Sequence, residues 1–117
     1  NLKINSYPGI YSQIITNLIL NSVMHGFENS KKGNVNITVL KDEALKIIYT
    51  DDGKGISREN LPKIFNPFFT TARERGGTGL GLNILYNLVT NNLNGKLTCE
   101  SIEGEGVTIT FTDNNFL

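Results

Sequence analysis

Apolar residues along this chain recur with two periods, and the alternation between them lays out the fold. Residues 10–27 are apolar at Ile10, Ile14, Ile15, Leu18, Ile19, Leu20, Val23, Met24 and Phe27, which is helical spacing. Ser6-Tyr7-Pro8-Gly9 precedes them, a helix-start signal in which proline is tolerated in the first turn. Within the helix Gln13, Asn17, Asn21 and His25 recur every four residues. At about 3.6 residues per turn they form one slowly drifting polar stripe. A helix apolar on nearly all its other sides is expected to be buried. Amides and an imidazole buried with it require partners. The stripe alone leaves three open: an amide network between helices, a sheet edge, or a bound ligand.

The second period is strand alternation. It appears in residues 2–6, 35–39, 45–50, 97–100 and 107–111. Lys41-Asp42-Glu43-Ala44 and Glu103-Gly104-Glu105-Gly106 are short enough to make hairpins of their flanking strands. Ser57 or its neighbour caps a short helix expected near residues 58–65, and a second apolar-periodic helix is expected over residues 78–92, ended by Gly95. Residues 66–77 carry proline, threonines, charges and a Gly-Gly pair without steady period, and read as a functional lid loop. The order is β, α, β, β, short α, lid, α, β, β. It predicts an α+β fold: a two-layer sandwich in which helices cover one face of a mixed, mainly antiparallel five-stranded sheet.

Bulk composition narrows the function classes. A chain of 117 residues is expected to form one domain with a real core. It begins at Asn1 rather than methionine, so it is expected to be a single domain, residues 1–117, excised from a longer protein. Lysine plus arginine equals aspartate plus glutamate at 11 each, which gives no electrostatic reason to expect a nucleic-acid partner. The one cysteine, Cys99, forms no intrachain disulfide and fits a reducing, cytoplasmic setting. No apolar run approaches the ~20 residues of a membrane helix. Whether a parent protein is membrane-anchored is left open.

Two glycine-rich segments carry candidate chemistry. Asp51-Asp-Gly53-Lys54-Gly55 sits where a strand stops; the glycines allow close approach, and the carboxylate can accept from an exocyclic amine such as that of adenine. An ordinary Asp-Gly turn explains the same letters. Gly76-Gly77-Thr78-Gly79-Leu80-Gly81-Leu82 opens a helix, where freed backbone amides make an anion site. Neither a Rossmann fingerprint nor a P-loop is present, because the spacing is Gly-x-Gly-x-Gly and no Gly-Lys-Ser/Thr follows. The same segment reads equally as a lid hinge. Together, the amide helix, the strand-end carboxylate, the anion site and a neutral Asn21 oxygen suited to magnesium outline an ATP site.

At this point the chain resembles the catalytic and ATP-binding domain of sensor histidine kinases, within the GHKL superfamily that includes gyrase, MutL and the heat-shock chaperone ATPases. The N box is Asn17-Leu-Ile-Leu-Asn21-Ser, and the first glycine box is Asp51-Asp-Gly-Lys-Gly-Ile56. The phenylalanine box is Ile64-Phe-Asn-Pro-Phe-Phe-Thr-Thr71, and the second glycine box is Gly77-Thr-Gly-Leu-Gly-Leu82. The terminal Gly104-Glu-Gly-Val-Thr108-Ile-Thr-Phe matches the family's last strand. The resemblance implies the Bergerat ATP-binding fold, with ATP and Mg2+ as ligands. It implies Asn21 as the magnesium ligand and Asp51 as the partner of the adenine amine. Ile56, Leu80 and Leu82 would wall the adenine, Thr108 would support it through a water, and Thr78, Gly79 and Gly81 would line the phosphates with Gly53 and Gly55 nearby. Lys54, Arg73 and Arg75 are candidate phosphate contacts, and Phe65, Phe68 and Phe69 would pack the lid or dock a partner helix. Met24 and His25 stand where many members have a basic residue and a tyrosine, and Asn66 replaces the usual glutamate of the phenylalanine box. His25 offers an imidazole N–H to the nucleotide, but it lies in the nucleotide helix and is not read as the phosphorylated histidine.

GHKL ATPases place a general-base glutamate one turn before the magnesium asparagine. Here that place is Asn17, and an amide has no useful basicity. The resemblance therefore implies a protein-histidine kinase whose catalytic positions are Asn17, Asn21 and His25. It implies a histidine acceptor on a separate dimerisation helix domain of the same protein and a downstream response regulator. The isolated domain would be a monomer and the parent a homodimer. The alternatives are a GHKL ATPase driving conformational change, a degenerate protein-binding domain, and a serine kinase of the anti-sigma type.

Overall fold

The computed structural model describes residues 8–26, 33–67 and 81–114. Helix α1 spans Pro8–Asn21 and continues through a π-helical turn, Ser22–Gly26. Strands β1 (Val35–Lys41) and β2 (Leu45–Asp51) form the expected hairpin. Helix α2 covers Gly81–Asn87 and also ends in a π-helical turn, Leu88–Asn92. Strands β3 (Leu97–Ile102) and β4 (Gly106–Asp113) close the chain as a second hairpin.

All pairings among the described strands are antiparallel, in the order β1-β2-β4-β3. The last strand pairs with β2, so the two hairpins join edge to edge and the end of β2 lies against the start of β4. The fifth strand expected at residues 2–6, the one that would make the sheet mixed, lies outside the described residues. The expected helix near residues 58–65 is reduced to a 3-10 turn, Leu61–Lys63, because Pro62 at its start supplies no backbone N–H and the run is short.

Strand alternation decides which side is covered. Leu45, Ile47, Tyr49 and Asp51 of β2, and Val107, Ile109, Phe111 and Asp113 of β4, are all buried. They share the helix-facing side with Leu97 and Cys99 of β3. From above, α1 with its π-turn sends down Ile14, Leu18 and Ser22, one residue per turn, and α2 with its π-turn sends Leu85 and Val89. Burying each of the Val, Leu, Ile and Phe side chains among these contributes roughly 1.5–3 kcal/mol.

The register of α1 corrects one expectation. The helix is not buried all round, since Ile19, Leu20 and Val23 are 42%, 52% and 56% exposed. A helix lying on a sheet beside one other helix has two covered sides, and the residues between the buried row and the polar stripe fall on neither. At the sheet's far end, the Tyr11 hydroxyl donates to Asp113 Oδ2 at 2.7 Å, which ties α1 to the last residue of β4. Burial, then that hydrogen bond and the Asp113 charge, drive the Tyr11 phenol far above its ordinary value, so it stays a donor.

Candidate functional site

The site is built where β2 ends. Asp51 is buried and aligned with Val107 of β4. Its Oδ1 accepts from the backbone N–H of Gly53 at 3.1 Å and from that of Val107 at 3.2 Å. Its Oδ2 accepts from the Ser22 hydroxyl at 2.7 Å. Ser22 is in turn 2.7 Å from the Tyr49 hydroxyl, which also lies 3.1 Å from the carbonyl oxygen of Leu18. Burial pushes the Tyr49 phenol up, the nearby Asp51 charge adds to this, and the hydrogen bond with Ser22 opposes it. A carboxylate offers about four acceptor positions. Three are filled, which leaves capacity for one more donor.

The next residue fixes the strand end from outside. Asp52 accepts from the backbone N–H of Asn34 at 2.7 Å and from its side-chain amide at 2.8 Å. Those two donors hold its carboxyl below the usual range. The glycine loop beyond is clamped to the β3–β4 hairpin. Ile56 N–H donates to Ser101 Oγ at 2.7 Å, and the Ser101 hydroxyl donates in turn to the Gly106 carbonyl oxygen at 2.7 Å. Gly55 has φ +75, and a Cβ there would meet the Ile102 carbonyl oxygen at 2.5 Å. Glycine is required at that close approach.

Around this carboxylate the structure gathers part of the expected set. Asn17 and Asn21 are half-buried on α1, one turn apart, with Asn21 directly before Ser22. Gln13, the stripe's first member, is exposed. Asn17 Nδ2 is buried with no hydrogen-bond partner among the described residues. An orphaned buried donor costs about 1–3 kcal/mol, and a ligand oxygen would satisfy it. Gly53 is buried behind Asp51, while the Lys54 side chain is exposed and its carbonyl accepts from Gly104 N–H. Ile56 and Leu82 are partly buried and pack against the hydrophobic core. Gly81 opens α2, and a Cβ built on it meets nothing within 4 Å, so packing does not call for glycine there.

Thr108 requires a correction. It pairs with Thr50, and strand alternation sends both side chains to the face opposite Asp51. The residue beside Asp51 on the covered face is Val107, which contributes its backbone N–H. Thr78, Gly79 and Leu80 lie outside the described residues, as do Phe68, Phe69, Arg73 and Arg75. The backbone of His25 belongs to the π-turn, and its side chain lies outside what is described. Phe65 is half-buried, its carbonyl held by the Asn83 amide at 3.1 Å and its ring 5.9 Å from that of Tyr86, so residue 65 is anchored to α2. Asn66 is exposed. Sequence reasoning gave no role to Ser22, Tyr49 or Ser101. Ser22 was the accessible one, being a hydroxyl four residues after the core-facing Leu18.

Comparison with known proteins shows the family. Residues 8–113 match the family described as histidine kinase-, DNA gyrase B-, and HSP90-like ATPase. Sensor histidine kinase ZraS of Escherichia coli (strain K12) is 38% identical over 109 residues, covering 92% of this chain and 22% of that protein. Sensor histidine kinase WalK of Bacillus subtilis (strain 168) is 34% identical over 108 residues, covering 86% of this chain and 17% of that protein. The catalytic domain of histidine kinase ThkA, in a nucleotide-free form, is similar with a TM-score of 0.76 and 29% identity, over 94% of this chain and 69% of that one. Full-length ShkA, solved in complex with AMPPNP, gives a TM-score of 0.74 and 26% identity, over 91% of this chain and 21% of that one. The chain spans less than a quarter of the length of the curated relatives. Among the described residues no helix is long and apolar enough to cross a membrane. By sequence and fold, the chain belongs to the histidine kinase-, DNA gyrase B- and HSP90-like ATPase family, as a relative of the sensor histidine kinase catalytic domain.

Proposed function

We propose that this chain is the ATP-binding catalytic domain of a protein-histidine kinase, residues 1–117 acting as one cytoplasmic unit. It would bind Mg-ATP and pass the γ-phosphate to a histidine on a separate dimerisation helix domain of its parent, which then supplies a response regulator. The observation that carries the reading is the Asp51 carboxylate, buried at a strand end with one acceptor position left for an amine. Adenine presents such an amine; guanine presents a carbonyl oxygen there, which a carboxylate repels. The orphaned amide of Asn17 one helical turn from Asn21 suits the phosphate end. Rotating such an amide exchanges its donor for an oxygen. Among the described residues no three His, Cys, Asp or Glu side chains converge into a metal cage. Magnesium needs none, because it takes one or two protein oxygens and keeps waters and phosphates, so an Asn21 oxygen is a sufficient protein ligand. Bound there, it would neutralise phosphate charge.

Asn17 separates transfer from hydrolysis. With no basic group at that position, water is poorly activated. A neutral imidazole already carries its lone pair, so its nitrogen forms the bond to phosphorus as the bond to the ADP oxygen breaks, with positioning supplying most of the catalysis. The test is phosphate release from Mg-ATP by this chain, measured beside its affinity. Saturable binding with release slower than about 0.01 per second is expected, far below the usual 1–100 per second of kinases acting on their acceptors. Sustained turnover without an acceptor would transfer the chain to the ATPase reading.

A further inference from the structure

Ser22 and Tyr49 form a buried hydrogen-bonded chain that ends on Asp51, and neither contributes otherwise to the proposed chemistry. Ser22 is 1% exposed and Tyr49 1% exposed. Each hydroxyl has one proton. The proton of Ser22 goes to Asp51 Oδ2, because a carboxylate cannot donate. With that proton committed, Ser22 Oγ is left to accept in its 2.7 Å contact with the Tyr49 hydroxyl, which also lies 3.1 Å from the Leu18 carbonyl oxygen. Donation is fixed at the Ser22–Asp51 step, and the one Tyr49 proton has two acceptors in reach, Ser22 Oγ and the Leu18 carbonyl oxygen.

We infer that Ser22, oriented by Tyr49, is a positioning residue that sets the base specificity of the nucleotide site. This rests on the proposed binding of ATP at Asp51. Two backbone N–H groups occupy Oδ1 and lock the carboxylate plane; Ser22 occupies one side of Oδ2. What remains is a single acceptor direction, which selects a six-amino purine whose N–H lies along it. Without the Ser22 hydroxyl, Oδ2 keeps two unfilled positions and recruits water, and the amine gains less over an analogue that lacks it. Ser22 also follows Asn21 at the point where the helix changes from α to π. One short segment thus ties the base end of the site to its phosphate end.

The test compares ATP with purine riboside triphosphate, which has hydrogen in place of the six-amino group, on the wild-type chain, Ser22→Ala and Tyr49→Phe. Calorimetry reads both affinities, and circular dichroism confirms the fold. In Ser22→Ala the ATP affinity is expected to fall about tenfold while that of the analogue changes less than about twofold, so the discrimination ratio collapses. Tyr49→Phe, which preserves the ring, should lower the ratio in the same direction by about threefold, and it stands as the test if Ser22→Ala does not fold. Equal losses for both nucleotides, or an unchanged ratio in the folded variants, would mean that the pair is merely structural and would overturn the inference. A wild-type chain that binds neither nucleotide would overturn the ATP reading itself, and the inference with it.

Discussion

Asp51→Asn is expected to weaken ATP binding about 100-fold while leaving the chain folded. The substitution keeps the shape of the side chain and its Oδ1, so the N–H groups of Gly53 and Val107 retain their acceptor. It replaces Oδ2 with an amide N–H2. One of these protons faces Ser22, which can turn to accept; the other faces the position of the incoming amine. A charge-assisted hydrogen bond becomes a meeting of two donors. A hydrogen bond to a charged group is worth about 1.5–3 kcal/mol, and the mismatch adds to its loss. Titration calorimetry beside a thermal melt checks both halves. Affinity within about threefold of wild type would mean that Asp51 is a structural anchor of the β2–β4 junction and that the nucleotide lies elsewhere.

The second large effect is expected from Gly106→Ala. Gly106 has φ +105, and a Cβ there would sit 2.0 Å from the Asp51 carbonyl oxygen and 2.9 Å from its carbon. Both are backbone atoms of a paired strand and cannot swing aside. Left-handed strain and overpacking together cost about 3 kcal/mol or more, a large share of the stability of a small domain. The melting temperature should fall by about 15 °C, and because the clash is with Asp51 itself, ATP affinity should fall as well. Gly104→Ala supplies the contrast. Its φ is +88, yet nothing lies within 4 Å of its Cβ, so backbone strain alone remains and the loss should be about 1 kcal/mol. Equal melting temperatures for the two variants would contradict the close approach of β4 to the end of β2.

These two residues also show what the sequence makes legible. The strand-end position of Asp51 was readable because alternation stops there, but an Asp-Gly turn explains the same letters, and only the other motifs beside it pointed to a ligand. The hairpins were readable because residues 41–44 and 103–106 are too short for anything else. The insertion of β4 between β2 and β3 was not, since pairing order between hairpins leaves no local trace. Thr108 was misread for a related reason. Its neighbour Val107 faces Asp51, and a shift of one residue reverses the face, which only the register reveals. The exposure of Ile19, Leu20 and Val23 was hidden because an apolar helix reads as buried whichever of its sides has no neighbour. The Tyr49–Ser22 chain was out of reach because it joins a helix to a strand 27 residues away.

The measurement that tests the central claim most directly is titration of this chain and of Asn21→Ala with ATP, with and without Mg2+. Wild type should bind ATP in the micromolar-to-millimolar range usual for enzyme substrates, at least about tenfold more tightly when magnesium is present, and Asn21→Ala should lose that magnesium dependence. An Asn21→Ala variant with unchanged affinity and unchanged magnesium dependence would contradict the site assigned between the N-box helix and Asp51.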